Sequence, residues 1–270
     1  MRDLHPGLGQ PASGLRRTIY GLSLALVLAV TGGAFVLVAL GVIPGTPVDV
    51  YASWITLAIL FVPFMALYDG AGQRRSRLEK WSEFGFVWLL VSGLAQTFWE
   101  LPWFFLDLTG LVHNLTVDDR YLWAWWVYGG ADTRYLTSNP TIAGLEFMAG
   151  FSGPFELWAW YLYRHGRTLR AKLTACWAAL IIGVGLTYMT GVFFVAEAHV
   201  GWVNIQQGAT GFWLKFIGLN LPWIIAPAIA IPAAIMELAH LYRLEGYETA
   251  RREMAENGPG RAGRPLVRSA

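Results

Sequence analysis

Long apolar stretches recur along the whole chain, each separated from the next by a polar or Gly/Pro-containing connection. A stretch of roughly 20 apolar residues can cross a bilayer as a helix, whereas a β-barrel would show short segments of alternating polarity. We therefore predict an all-α, polytopic transmembrane helical bundle of about six helices. The predicted spans are residues 19–43, 52–68, 81–108, 142–163, 173–198 and 212–241.

The composition excludes several classes of function. Only 14% of the residues are charged and 55% are hydrophobic, against about 25% charged residues in soluble domains. A net charge of +2 is too small to indicate a nucleic-acid partner. The single cysteine, Cys176, excludes an internal disulfide and a cysteine-based metal cage. Because no two histidines have ligand spacing on one helix, we expect no metal site, and we expect no cofactor.

The distribution of Lys and Arg residues predicts how the chain is oriented in the membrane. They are frequent in the N-terminal segment, in the 69–80 and 164–172 loops and in the C-terminal tail, but absent from the 44–51 and 197–211 loops. Positive charge favours the cytoplasmic side, so both termini are expected there. The membrane would be the plasma membrane in a bacterium and the endoplasmic reticulum in a eukaryote.

The same pattern divides the chain into four parts. We predict a cytoplasmic segment (1–17), two helices with a basic loop (18–80), a domain of four helices (81–242) and a disordered basic tail (243–270). Within the long connection before the fourth span, a tryptophan-rich patch is interpreted as an interfacial belt in preference to a binding platform. It contains Trp123, Trp125 and Trp126.

Glu100 lies inside the third apolar span, where a carboxylate costs a few kcal/mol and usually faces the bundle interior. At 1.5 Å per residue it lies roughly 12 Å from the end of its helix. Glu146, near the start of the fourth span, would lie at a similar depth. Asn220 and Trp223 lie roughly 12–17 Å into the sixth span from the same side. We therefore predict one polar pocket walled by aromatic rings.

Polar side chains can also serve only as hydrogen bonds between helices. That alternative is stronger for Asn220 alone than for two carboxylates. Two further charged residues are expected near the membrane surface. Glu83, at the start of the third span, should be reached by water or headgroups, and Lys215 should snorkel to the interface.

Two carboxylates in an apolar pocket should not both be ionised, because of desolvation and mutual repulsion. A protonated acid beside an ionised partner is an acid and base pair that needs no metal. Aromatic faces attract positive charge. This combination indicates proton addition to an alkene followed by proton loss from a different carbon.

Four separated motifs resemble a known family. They are Asp132-Thr-Arg-Tyr135 followed by Glu146, Gly153-Pro154 and Leu157-Trp158; Gly93 with Glu100; Tyr188 with Glu197; and Asn220-Leu-Pro-Trp223 followed by Pro227. Residues 93–238 thereby resemble the emopamil-binding protein family of sterol Δ8–Δ7 isomerases, within the EXPERA membrane-domain family. The last four helices resemble that family, while the first two match poorly.

The resemblance implies a role for each matching residue. Glu100 and Glu146 would form the acid and base pair, Asn220 would orient one of them, and Trp223 would stabilise the carbocation. We expect the substrate to be contacted by Gln96, Trp103, Tyr188, Glu197 and Phe216. For Glu197, a position that merely ends its helix is an equal alternative. Asp132 and Arg134 are expected to be structural.

The sequence departs from the family at two places. The family's isomerases carry a histidine one turn before the first glutamate, where this chain has Gln96. A glutamine can make the same hydrogen bond, but it cannot titrate. The loop between Glu100 and Asp132, which we expect to cover the pocket, is also a few residues longer, so substrate choice can differ.

The predicted function is that of a cholestenol Δ-isomerase-like enzyme, an intramolecular oxidoreductase that transposes a C=C bond in a sterol or sterol-like lipid. The alternative is a non-catalytic sterol- or lipid-binding protein of the same family. A proton-coupled transporter is less favoured, because the sequence shows no repeat pair. The expected partners are an apolar lipid substrate and membrane lipids, and a homodimer is compatible with the sequence.

Overall fold

The computed structural model describes residues 13–70 and 74–256, and it confirms the all-α fold over these residues. Five helical segments within them are long and apolar enough to cross a membrane. They are Gly14–Ala39, Val48–Leu67, Arg77–Leu108, Leu169–His199 and Thr210–Glu256. The protein is therefore a multi-pass integral membrane protein. Most of the N-terminal segment (1–12) and the end of the tail (257–270) lie outside the described residues.

The first two helices form a pair that packs side by side. Helix α1 spans Gly14–Ala39 and begins where the Ser13 side chain accepts a hydrogen bond from the Arg16 amide. Helix α2 spans Val48–Leu60 and continues as the 3-10 helix Val62–Leu67. Most of α1 remains exposed, as expected for a helix that faces lipid.

The next helix contains a change of helical type at the residues of interest. Helix α3 spans Arg77–Ala95 and begins with a capping box between Ser76 and Glu79. The π-helix Gln96–Glu100 and helix α4, Leu101–Leu108, follow without a break.

The connection after α4 is folded. It contains the 3-10 helix Arg120–Leu122, helix α5 (Trp123–Gly129) and the 3-10 helix Thr133–Leu136. Trp123 is 1% exposed, and its indole donates to the Gly45 carbonyl at 3.2 Å. The interpretation of the tryptophan patch as an interfacial belt is thus wrong for Trp123, because its ring packs against the first two helices.

The remaining helices complete the bundle. Helix α6 is Pro140–His165, α7 is Leu169–His199, and after the π-helix Thr210–Gly218 come α8 (Pro222–Ile225) and α9 (Pro227–Glu256). Helix α6 corresponds to the predicted fourth span. Its 26 residues can cross a bilayer, although it is not among the five most apolar segments.

Helix α9 corrects one prediction. It continues to Glu256, so residues 243–256 are helical and not disordered. The segment is rich in good helix formers such as Arg, Glu, Ala and Met. It also contains a Glu248–Arg252 pair one turn apart. The high charge that suggested disorder therefore lies on an exposed helix.

The core is a ring of four helical units. Helix α3 packs on α6 and α9, and α7 packs on the same two helices. The α1–α2 pair lies outside this ring, where α2 contacts the second π-helix and α1 contacts α5. We call the end of the bundle formed by residues 109–139 and 200–209 the loop end, and the opposite end the basic end.

Two buried ionic clusters attach the α1–α2 pair to the ring, and both correct predictions. Lys215 is fully buried instead of snorkelling, and its Nζ lies 2.5 Å from Asp49 Oδ2 at the start of α2. Glu83 is 1% exposed, pairs with Arg75 and accepts the Tyr20 hydroxyl at 2.6 Å. Each charge is buried because an oppositely charged partner neutralises it.

Candidate functional site

A π-helix presents Gln96 and Glu100 on one face of the helix that continues from α3 into α4. Two residues after Glu100, Pro102 lacks an N–H group and cannot donate to the carbonyl one turn earlier. The helix widens over Gln96–Glu100 next to this missing bond. Such single π turns often occur at functional sites. The second π-helix, Thr210–Gly218, likewise precedes a proline, Pro222.

Gln96 connects Glu100 to Trp223. The Gln96 amide is oriented with its nitrogen toward Glu100, because only this orientation gives both amide atoms a complementary partner. The nitrogen then donates to the Glu100 carboxyl, 3.0 Å from Oε1, and the oxygen accepts from Trp223 Nε1 at 2.9 Å. Gln96 is 2% exposed. A residue with both a donor and an acceptor is therefore required at this position.

The carboxyl groups of Glu100 and Glu146 lie close to each other, and Glu146 Oε2 has no partner among the described hydrogen bonds. A hydrogen bond between two carboxyl groups requires one proton between them, so a single proton on the pair would make one group an acid and leave the other a base. Glu146 is buried within α6, and it accepts the hydroxyl of Tyr135. The predicted proximity of the two carboxylates, inferred from their depths, agrees with this geometry.

Tyr135 was quoted in the sequence motif but was not predicted as a site residue. It lies in the 3-10 helix Thr133–Leu136 and is 3% exposed. Burial raises the pKa of the Tyr135 hydroxyl well above its usual value, so the hydroxyl remains a donor. The sequence signal that could have identified it is a tyrosine next to the charged residues Asp132 and Arg134.

Aromatic rings enclose Tyr135. The Trp103 ring lies edge-on at a centroid distance of 4.9 Å, and its indole donates to the Tyr135 carbonyl at 3.3 Å. The Tyr128 ring lies edge-on at 4.9 Å on another side. Trp103 therefore packs against the residue that donates to Glu146, and its contact with a substrate stays a prediction.

None of the described hydrogen bonds joins Asn220 directly to Glu100 or Glu146. Its amide nitrogen donates to the Tyr128 hydroxyl at 2.6 Å and to the Phe216 carbonyl at 2.7 Å. Burial also raises the pKa of Tyr128. Asn220 thus reaches Glu146 only through the packed rings of Tyr128 and Tyr135, because the α5 segment lies between them.

Glu197 belongs to a second buried cluster at the loop end. It is fully buried, and its carboxylate accepts from the backbone and side-chain nitrogens of Asn204, both at 2.9 Å. Arg134 Nε lies 3.3 Å from Glu197 and Arg134 Nη2 lies 2.6 Å from Asp132. This cluster fastens the turn that carries Tyr135. It agrees with the structural role expected for Asp132 and Arg134.

The two other residues expected to contact substrate lie in different environments. Phe216 is fully buried and stacks near Phe193, with ring centroids 5.2 Å apart. Tyr188 is 74% exposed, so the structure does not bring it to the site. In the second half of α7 the buried positions are Leu186, Phe193 and Glu197, and Tyr188 projects from a different face of the helix.

The structure adds two residues that the sequence did not single out. Ser92, one turn before Gln96, accepts a hydrogen bond from Trp223 Nε1 at 3.2 Å. Its own hydroxyl donates to Glu156 at 3.2 Å. The buried polar network therefore extends from Tyr135 through the carboxyl pair to Glu156.

A cavity of about 70 Å³ lies on the basic-end side of Trp223, lined by Trp88, Glu156, Tyr163 and Glu237 among others. Ligand pockets usually measure roughly 300–1,000 Å³. This cavity therefore holds water-sized molecules, and a lipid would need side chains to move. Among the described residues, no group of three or more His, Cys, Asp and Glu side chains is placed to hold a metal ion.

Comparison with known proteins bears on this same region. Residues 120–232, which contain Tyr135, Glu146, Asn220 and Trp223, match the family model EBP, described as EXPERA (EXPanded EBP superfamily). The match to the EXPERA family is shown for this segment of the chain. The predicted resemblance is confirmed at the level of the family.

Several proteins that are similar in sequence to this chain carry the names of enzymes. The chain is 27% identical over 176 residues to the 3-beta-hydroxysteroid-Delta(8),Delta(7)-isomerase of Mus musculus, with 63% of this chain and 66% of the relative covered. It is 26% identical to the probable enzyme of the same name from Oryza sativa subsp. japonica, with 64% and 75% covered. It is 23% identical to a protoglabretal synthase of Ailanthus altissima, with 64% and 76% covered.

The alignments leave part of these relatives uncovered, since the chain spans 66% of the mouse isomerase and 55% of its rat counterpart. No solved structure matches the chain significantly. The chain is thus a membrane protein with an EXPERA segment, and its distant relatives act on sterols or triterpenoids.

Proposed function

We propose that this EXPERA protein is an intramembrane isomerase that shifts a ring double bond in a sterol or sterol-like lipid. The observation that carries the proposal is the close approach of the Glu100 and Glu146 carboxyl groups within a membrane-spanning bundle. A carboxyl pair that shares one proton can supply an acid and a base at the same time. The names of the isomerase relatives support the same chemistry.

In this proposal Glu100 is the acid and Glu146 the base. Glu146 accepts the Tyr135 hydroxyl and the Glu100 proton, and hydrogen bonds to a carboxylate favour its ionised form. Glu100 adds its proton to one carbon of the alkene, and the π electrons form the new C–H bond. The neighbouring carbon becomes a cation.

The cation then loses a proton from its other neighbour to Glu146, and the electrons of that C–H bond form the shifted double bond. The substrate gains and loses one proton, so its composition does not change. Between turnovers Glu146 releases its proton to solvent and Glu100 takes one up, which restores the starting state. Trp223 stabilises the cation, because an indole face attracts positive charge.

Membrane placement follows the charge distribution. We propose that the basic end faces the cytoplasm and that the carboxyl pair lies in the outer half of the bilayer, where an apolar substrate enters from the lipid. The packed side chains around the carboxyl pair must move to admit it. Such movement is common for enzymes whose sites exclude water.

The test is turnover of a Δ8-unsaturated sterol by purified protein in deuterated water, read by mass spectrometry. We expect a shifted double bond with one deuterium incorporated. Glu100→Gln and Glu146→Gln should lower kcat by about 10²–10⁴-fold, the usual contribution of a general acid or base. Glu237→Gln, which removes a buried carboxylate outside the pair, is the matched control and should retain activity.

The alternative function is non-catalytic sterol binding. It predicts that the sterol binds without conversion and that both glutamine variants bind as well as the wild type. Full isomerase activity in Glu100→Gln would overturn the proposed mechanism.

A further inference from the structure

Glu156 is a buried carboxylate that the proposed reaction does not use. It lies on α6, is 2% exposed, and accepts a hydrogen bond from the Ser92 hydroxyl at 3.2 Å. Glu146 is ten residues earlier on the same helix, so roughly 15 Å of helix separates the two carboxylates. Glu156 is therefore too far along α6 to exchange a proton with the substrate directly.

Ser92 links Glu156 to Trp223. Its oxygen accepts the indole N–H of Trp223 at 3.2 Å while its hydroxyl donates to Glu156. The same N–H also points to the Gln96 carbonyl at 2.9 Å. The indole donor is thus shared between two acceptors, one of which leads to a carboxylate.

We propose that Glu156 is a positioning residue that orients and polarises the indole of Trp223 through Ser92. The inference rests on the proposed function, in which Trp223 faces a carbocation. Hydrogen bonds in a chain polarise one another, and the effect is larger in a low-dielectric interior. A carboxylate at the end of the chain draws the indole proton toward Ser92 and leaves more negative charge on the ring. The ring then attracts a cation more strongly.

The ionised form of Glu156 depends on water in the cavity beside it. Its second oxygen, Oε2, has no hydrogen-bond partner among the described residues, and the side chain lines the cavity of about 70 Å³. A cavity of this size has room for water molecules, which would donate to that oxygen. Ser92 and cavity water together would satisfy both oxygens.

The test is a set of mutant cycles on isomerase turnover. Glu156→Gln keeps an acceptor for Ser92 but removes the charge, whereas Ser92→Ala removes the bridge. Each should lower kcat about tenfold with little change in KM, the scale expected for one hydrogen bond to a charged group. Because both act through one path, the double variant should be no slower than the slower single variant.

Two controls separate this role from a general effect on folding. Glu237→Gln removes the other carboxylate of the same cavity, which accepts from Tyr163, and should leave kcat unchanged. In a Trp223→Phe background, which lacks the indole donor, Glu156→Gln should have no further effect. An equal loss of kcat from Glu156→Gln in both backgrounds would overturn the inference.

A second readout does not depend on turnover. In protein labelled with ¹⁵N-tryptophan, the Trp223 indole resonance is assigned by its loss in Trp223→Phe. Its proton should move upfield in Glu156→Gln and in Ser92→Ala, but not in Glu237→Gln. An unmoved resonance would overturn the inference whatever the activity. If the resonance moves in these variants but the wild-type protein converts no sterol, the polarised indole is retained and the proposed function is overturned.

Discussion

Gly153 and Thr97 bring the backbones of two helices into direct contact. A Cβ atom added to Gly153 would lie 2.7 Å from the Thr97 backbone nitrogen, closer than real Cβ atoms approach. Thr97 lies within the π-helix between Gln96 and Glu100, and Gly153 lies two turns after Glu146 on α6. The glycine therefore lets α6 approach the widened helix closely enough for Glu146 to reach Glu100.

Gly153→Ala should separate these helices. We expect a loss of about 1–3 kcal/mol of stability, typical of overpacking, together with a fall in turnover as the carboxyl pair moves apart. Thermal unfolding in detergent and the sterol assay measure the two effects. Gly144→Ala is the control on the same helix, where an added Cβ meets nothing within 4 Å. Equal behaviour of the two variants would contradict the argument.

Tyr135→Phe should slow the reaction without unfolding the protein. The variant keeps the aromatic packing but removes the hydroxyl that Glu146 accepts, so the ionised form of Glu146 that acts as the base is less favoured. A hydrogen bond to a charged group contributes about 1.5–3 kcal/mol, or a decrease in kcat of about 10–100-fold. Tyr121→Phe, at an exposed position of the same connection, should behave as the wild type. A normal turnover rate in Tyr135→Phe would show that the Tyr135 hydroxyl does not contribute to the reaction.

Position 96 requires both a donor and an acceptor. Gln96→Leu removes both and should lower kcat strongly. Gln96→His should retain activity, because a neutral imidazole can donate to Glu100 and accept from Trp223. A protonated imidazole has no acceptor, so the His variant should lose activity as the pH falls through about 6.5, the usual imidazole pKa. A pH profile identical to that of the wild type would show that residue 96 does not bridge these groups.

The buried ion pair of Lys215 and Asp49 should hold α2 against the second π-helix. Lys215→Met leaves Asp49 buried without its cation and should cost about 3–5 kcal/mol. The double variant Lys215→Met/Asp49→Leu should recover much of this loss, since no unpaired charge remains. Chemical or thermal unfolding in detergent measures both. A double variant less stable than Lys215→Met would contradict this account.

The proposed orientation is tested by cysteine labelling. Asp118 lies in an exposed loop at the loop end, and Arg251 lies on the exposed end of α9. The native Cys176 is buried, so its background labelling should be low. In intact cells a membrane-impermeant maleimide should label Asp118→Cys but not Arg251→Cys. The opposite pattern would invert the topology.

Local sequence features predicted much of the fold because each acts within one helix. The apolar lengths of 81–108 and 173–198 identify membrane-spanning helices without reference to any other part of the chain. Glu100 was recognisable because a carboxylate is costly wherever such a helix packs. The depth of Glu146 followed from a constant rise per residue.

Side-chain partners distant in sequence were not predictable in the same way. Lys215 and Asp49 are separated by 166 positions, and nothing local to Lys215 distinguishes burial from snorkelling. Tyr188 lies on the same apolar helix as Glu197, yet only packing shows that it faces outward. Ser92 and Glu156 became relevant only when two helices brought them to Trp223.

The sequence by itself determined a multi-pass helical bundle of the EXPERA type with glutamates in its apolar spans, because length and apolarity act locally. Only the tertiary structure decided which groups share protons and hydrogen bonds. These contacts depend on how closely and at what rotation the helices pack. The approach of Gly153 to Thr97 and the widening of the helix before Pro102 set that geometry.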